Sequence, residues 1–372
     1  MTAQKPPFRA DHVGSLLRPP ALVEARARFR RGELDKDGLR EVEDAAIRDV
    51  IALQEDVGLK SITDGEVRRT LWHMDFLTQF ANVEATRSPV KVSFHTAEGS
   101  IERAPSATRV VGKVARPRPI FVSHFSFVKE NTRQTPKLTI PSPSILHFRG
   151  GRSAIDAVAY PDMEEFYGDV GRVYREEIAD LGDAGCKYLQ IDEVNFAYLC
   201  DPKLRDEARA MGEDPDQLPH RYARLINDCI RDRAKGMVVS MHLCRGNFEG
   251  AWMAEGSYEP VADILFNEIS VDAYFLEYDT ARAGGFDPLR FLPKGKTVVL
   301  GLVTTKSGKL ESKDDLKRRI EEAARHCPIE QLALSPQCGF ASGERGNQLS
   351  VAEQIAKLRL VVEVAEEVWG HA

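Results

Sequence analysis

Short β-branched runs recur along the chain, each followed by a polar residue or glycine and then by a longer stretch with helical spacing. Eight runs have strand character: 8–13, 59–63, 137–140, 187–191, 237–243, 272–276, 297–303 and 331–334. Amphipathic helices are predicted over 37–56, 163–184, 221–234, 313–326 and 350–369. Gly58 and Gly185 stand where helices must end before the next strand, a position that suits a left-handed cap. Eight strands alternating with helices predict an α/β chain folded as a (β/α)8 TIM barrel. A doubly wound open sheet is disfavoured, because no Gly-x-Gly-x-x-Gly turn follows the first run.

One segment departs from this rhythm. From 90 to 130 the pattern turns β-like, in VKVSF, TRVVGKV and PIFVSHFSF, with Gly and Pro between the runs. It predicts an antiparallel excursion between the second and third barrel strands. The expected organisation is a single barrel domain over 1–372 with a β-rich insertion at 84–136.

Composition adds exclusions. The chain has 372 residues, 42% hydrophobic and 29% charged, the profile of a globular protein with a sizeable core. With 51 basic against 57 acidic residues the net charge is −6, so no basic surplus favours nucleic acid as a partner. The N-terminus lacks an apolar targeting core and no stretch is apolar enough to span a bilayer, which predicts a cytoplasmic protein with no membrane role. Six cysteines are too sparse for a disulfide framework and are expected as thiols.

Chemistry in a barrel belongs at the C-terminal ends of the strands. The run ending in Ser240-Met241-His242-Leu243-Cys244 places an imidazole and a thiol two residues apart, hence on one side of a strand. The next run ends in Leu276-Glu277, and the last is followed by Ser335-Pro336-Gln337-Cys338-Gly339. In a closed barrel these ends meet at one mouth. His242, Cys244, Glu277 and Cys338 then form a four-ligand zinc site. A carboxylate oxygen is the ligand most easily exchanged for a soft sulfur, which marks Glu277 as the replaceable one.

Here the sequence resembles the cobalamin-independent methionine synthase family, specifically its short, single-barrel members. His242, Cys244, Glu277 and Cys338 match that family's zinc ligands. The resemblance implies a zinc-dependent methyltransferase that transfers a methyl group to homocysteine to form methionine. The methyl would come from 5-methyltetrahydrofolate or another donor. It also implies that Val13, Gly14 and Ser15 hold the amino acid's carboxylate, and that Glu66 and Asp192 grip its amine. The small-molecule partners are thus a thiol and a methyl donor. Two other readings stand beside it: a thiol alkyltransferase or lyase using a different thiol and electrophile, and a non-catalytic zinc-binding barrel.

The chain also departs from the family. It has length for one barrel where the long enzymes have two. Lys306 stands near the position of the histidine that protonates the folate leaving group, and Tyr198 replaces an acidic residue near the pterin, so no proton donor is assigned. Phe148 lies near the family's stacking aromatic residue. Arg149, Arg152 and Arg245 either bind an anionic donor or lie as surface charges, the surface being preferred for the first two. His12 and His73 are within reach of the mouth but receive no role.

Overall fold

The computed structural model describes residues 5–88, 92–96 and 99–372. Seven parallel strands form one curled sheet: Ser61–Ile62, Thr135–Pro141, Tyr188–Glu193, Val238–Leu243, Ala273–Glu277, Thr297–Val303 and Leu332–Pro336, each hydrogen-bonded to the next. Their side chains are buried almost throughout, as expected of strands covered on both faces. The large core lies between this sheet and the outer helices, with Ile47, Val50 and Ile51 from Lys36–Asp56, Val170 and Val173 from Met163–Asp183, and Val361 from Val351–Trp369. Burying side chains of this size contributes roughly 1.5–3 kcal/mol each. Inside the barrel a small cluster of Val13, Phe275, Val299 and Ala333 packs separately.

The helices follow the predicted pattern, with termini set by local chemistry. Asp35 accepts from Gly38 N–H at the start of Lys36–Asp56, and Ser350 with Glu353 forms a reciprocal cap on Val351–Trp369. Gly58 and Gly185 adopt φ of +96° and +94° just past helix ends. The helix predicted at 221–234 is shifted to Leu218–Ile230.

Residues 8–13 do not form the regular first strand that the pattern predicts. They run beside Leu332–Pro336 with a single bridge, Ala10 to Leu334. Asp11 explains the departure. Its carboxylate accepts from the His12 N–H (2.8 Å) and the Phe8 N–H (3.3 Å), occupying donors a ladder would use. On the other side the contact with Ser61–Ile62 is made through side chains. Ser61 Oγ donates to Asp11 at 2.8 Å, His12 Nε2 lies 3.1 Å from the Ser61 carbonyl, and Thr63 Oγ1 donates to the Gly14 carbonyl at 2.6 Å. Lys137 Nζ (3.1 Å) and Tyr188 OH (2.9 Å) complete the shell around the fully buried Asp11.

The excursion contains two antiparallel pairs, Ala81–Arg87 with Ser106–Ala115 and Val92–Thr96 with Gly99–Arg103. Val90 and Lys91, which open the predicted VKVSF strand, lie outside the described residues. PIFVSHFSF is corrected: Val122–Asn131 is a helix. Its apolar residues alternate in part, but Phe121, Phe125 and Val128 recur at helical spacing and all three are buried. The Glu177 carboxylate accepts from the Ile120 and Phe121 N–H groups and fixes the start of that helix. Among the described residues no helix is long and apolar enough to cross a membrane.

Replacing Asp11 leaves Lys137 buried without its counter-charge. Asp11→Ala is expected to lower unfolding free energy by about 3–5 kcal/mol, read as a lower urea midpoint at unchanged slope.

Candidate metal centre and substrate cavity

His242 sits on strand Val238–Leu243 and Cys244 follows its end; Glu277 closes the neighbouring strand and Cys338 lies two residues past the last. Their ligand-type atoms all fall within 4.8 Å of one another, with Cys244 Sγ and Cys338 Sγ 3.6 Å apart. Tetrahedral zinc, with bonds of about 2.0–2.3 Å, sets its ligands about 3.3–3.8 Å apart. His242 is only 2% exposed, and the Cys338 thiol is the one polar group that its ring meets. A buried imidazole with no oxygen or nitrogen partner is costly unless something else binds it. The donor set and this under-satisfied imidazole therefore both fit a metal ion.

The surroundings fix the charges. Glu277 accepts from the Arg245 backbone N–H (3.1 Å) and from Arg282 (3.1 Å), and its own N–H donates to Tyr258 OH (3.1 Å). Burial works against ionising Glu277, but Lys306, Arg282 and His242 hold its carboxyl below the ordinary range. Of the two thiols, Cys338 is the acidic one, brought to about 5 by the hydrogen bond from Cys244 against the effect of burial, with help from His242. The Cys244 thiol is raised in turn.

Beside the cluster opens a cavity of about 910 Å³, lined by His242, Cys244 and Cys338 together with Val13, Ser15, Glu66 and Asp192. Glu277 and Gly14 stand behind its surface. Asp192 pairs in register with His242, which brings it alongside the cluster, and Gln190 Nε2 donates to it at 2.6 Å. The same Gln190 amide donates to the Val13 carbonyl at 2.6 Å. Glu66 occupies a left-handed backbone conformation (φ 56°) without being glycine. Thr139 Oγ1 donates to its Oε1 at 2.9 Å and Arg69 lies 3.4 Å from the same oxygen, while Oε2 is buried with no partner. A Cβ at Gly339 would stand 1.8 Å from Ser15 Oγ, so the glycine leaves room for that hydroxyl in its present orientation.

Other predicted residues fall differently. Arg149 lines the cavity and is not a surface charge, whereas Arg152 is tied to the Ile155 and Tyr160 carbonyls. Arg245 is fully buried over the Tyr258 ring (4.2 Å), off the cavity surface. Phe148 stands behind Tyr198, their ring centroids 6.0 Å apart, instead of facing a ligand. Lys306 Nζ is buried without a partner and also lies off the cavity. His12 turns toward Ser61, but His73 reaches the cavity wall. Sequence reasoning passed over Arg69, and also the strand pair Val92–Thr96 and Gly99–Arg103, whose Phe94, Ile101 and Arg103 roof the cavity. The roof is held by paired His95–Trp252 backbone bonds (2.7 and 3.0 Å), which the alternating pattern alone does not encode.

The model of the "Cobalamin-independent synthase, Catalytic domain" family matches residues 8–367. The chain belongs to this family. It is 43% identical over 368 residues to the protein YxjH of Bacillus subtilis (strain 168), covering 98% of this chain and 96% of that one. It is 24% identical over 363 residues to a 5-methyltetrahydropteroyltriglutamate–homocysteine methyltransferase of Lactococcus lactis, 96% of this chain but 42% of that enzyme. A crystal structure of a Listeria monocytogenes protein assigned as a vitamin-B12-independent methionine synthase superposes with a TM-score of 0.78 at 36% identity. It covers 99% of this chain and 100% of that one. As a member of the cobalamin-independent synthase family, the chain carries a methyltransferase of the methionine synthase type on a TIM-barrel-like fold.

Cys244→Ser and Cys338→Ser are each expected to lose tightly bound metal while keeping the helical circular-dichroism signal; metal analysis after zinc loading and gel filtration checks this. Burial, reinforced by Glu66, pushes Asp192 from 3.8 up to about 7. Between those values the native state keeps a proton that the unfolded chain has released. Stability of the metal- and substrate-free protein should therefore fall as pH rises from about 4 to about 7. Asp192→Asn should flatten that limb in pH-dependent urea melts.

Proposed function

We propose that this protein methylates the thiol of homocysteine to form methionine. The reading is carried by one observation. A two-sulfur, one-nitrogen, one-oxygen cluster shares a single cavity with two buried carboxylates, one of which has an oxygen without a partner.

Zinc held by His242, Cys244, Glu277 and Cys338 would lower the pKa of a substrate thiol and keep its sulfur nucleophilic. The rest falls to the chain's own groups. Burial raises the proton affinity of both Glu66 and Asp192, and the charge of Glu66 adds to the rise at Asp192. A cation between them relieves this unfavourable pair, and the α-ammonium of an amino acid is such a cation. Thr139, Arg69 and Gln190 hold the two carboxylates in place. The Val13-Gly14-Ser15 segment offers backbone N–H groups and a hydroxyl to the substrate carboxylate. A sulfonate-bearing thiol without an amine leaves both carboxylates unanswered, which disfavours it as acceptor. The cavity volume beyond the amino-acid side receives the methyl donor.

Zinc-loaded protein given homocysteine, with methylcobalamin and 5-methyltetrahydrofolate supplied separately, is expected to yield methionine from at least one donor. Glu66→Gln should raise the homocysteine KM by about tenfold or more, the loss of one charge-assisted hydrogen bond, at unchanged zinc content. No methionine from either donor, with no thiol-dependent change in the spectrum of the cobalt-substituted centre, would overturn the reading.

A further inference from the structure

Behind the amino-acid side of the cavity, Arg18 staples two chain segments together. One segment carries Val13 and Ser15, the other Glu66, and all three residues line the cavity. Two short ties already join them: Leu16 N–H donates to the Gly65 carbonyl at 3.0 Å, and Thr63 Oγ1 donates to the Gly14 carbonyl at 2.6 Å. Arg18, only 7% exposed, adds a charged one. Its Nη1 donates to the Leu16 carbonyl (2.5 Å) and to the Gly65 carbonyl (2.9 Å), while Nη2 lies 3.5 Å from the Arg69 carbonyl. The guanidinium thus holds the chain on both sides of Glu66, at the carbonyl just before it and at another three residues after it.

This bracket acts where the backbone is least at ease. Gly65 and Glu66 both have positive φ, +63° and +56°, and Glu66 adopts it without being glycine. Such a residue persists only when its surroundings over-determine it. Arg26 contributes by donating to the Val67 and Arg69 carbonyls (2.6 and 3.2 Å), but its bonds reach only the Glu66 side, and Glu43 answers its charge at 3.4 Å. Arg18 reaches both segments, and among the described residues its bonds go to carbonyls alone. A planar guanidinium serves two carbonyls at a set angle, whereas an ammonium on a flexible stem imposes no such geometry. Burial pushes the Glu66 carboxyl up, and the charges of Arg69 and Arg18 oppose that rise.

We infer that Arg18 is a positioning residue that keeps the Val13–Ser15 segment and Glu66 in register, and so makes the cavity select thiols that carry an ammonium and a carboxylate on one carbon. The inference rests on the proposed amino-acid substrate. Arg18 lies off the cavity surface and acts through the Leu16 and Gly65 backbone. Homocysteine presents its two charged groups at a fixed separation, so both segments must stand correctly spaced to engage it together. A thiol with one of the two groups can shift to follow the single segment it uses. Loss of the bracket therefore penalises the ligand with both groups and spares the others.

The test titrates the cobalt-substituted protein with three thiols and follows its absorption spectrum: L-homocysteine, 3-mercaptopropylamine, which lacks the carboxylate, and 4-mercaptobutyrate, which lacks the amine. The wild type should bind homocysteine more tightly than either analogue. Arg18→Met should weaken homocysteine by about tenfold or more, at unchanged metal content, and leave both analogues nearly as they were. Arg18→Lys, which keeps the charge without the fork, should fall between the two proteins. If Arg18→Met gives no folded protein, Arg18→Lys decides by the same selective loss. Homocysteine bound as tightly after Arg18→Met, all three thiols weakened alike, or a full wild-type preference in Arg18→Lys would overturn the inference, as would a wild type that does not prefer homocysteine. Methionine formation is assayed in parallel. Its absence with either donor, alongside an Arg18-dependent preference, would fail the proposed function and leave the bracket standing; methionine formed with a preference indifferent to Arg18 would do the reverse.

Discussion

A parallel barrel must close on itself, and here the closure depends on one buried carboxylate. Asp11 gathers the His12 amide, Ser61, Lys137 and Tyr188 where a regular strand would have supplied a ladder. An ion pair at this depth is favourable only when its remaining lone pairs and protons are satisfied, and this one is nearly surrounded. Lys137 also lies over the rings of Phe275 and Tyr188, which places its charge in the centre of the barrel. The adjoining segment, Val13 to Ser15, is thereby brought to the mouth beside Gly339 and Phe340.

Much of this arrangement is legible in the sequence because strand ends carry their chemistry at fixed spacing. His242 and Cys244 share a side by the two-residue period. Glu277 stands directly after an apolar run and Cys338 four residues after the last one, so the barrel topology is enough to bring the four together. The segment around Phe121 shows where pattern reading fails. In a short apolar stretch, every second and every third-or-fourth position are both filled, and tertiary packing against Glu177 decides between them. Residues 8–13 fail for a different reason: β-branched character says nothing of a side chain that captures backbone donors. Arg69 is invisible as a site residue because its role depends on which distant neighbours it meets, Thr139 and Glu66, whereas His73 is within reach of the mouth by sequence but gains its place in the cavity wall only from the fold.

The charge balance around Glu277 decides its protonation state. Arg282 touches its carboxylate, Arg245 lies buried nearby, and Lys306 exerts its charge from a buried position. Three cations around one carboxylate favour its ionised form whether or not it is bound to a metal. Lys306 therefore belongs to the electrostatics of the cluster, its Nζ buried off the cavity surface.

Glu66 carries a further consequence. A non-glycine residue with positive φ stores backbone strain of about 1–3 kcal/mol, and glycine at that position would release it. A Glu66→Gly chain would be locally more relaxed yet would lose the carboxylate that Thr139 and Arg69 hold at the cavity, so backbone comfort and the proposed amine contact pull in opposite directions at this one position.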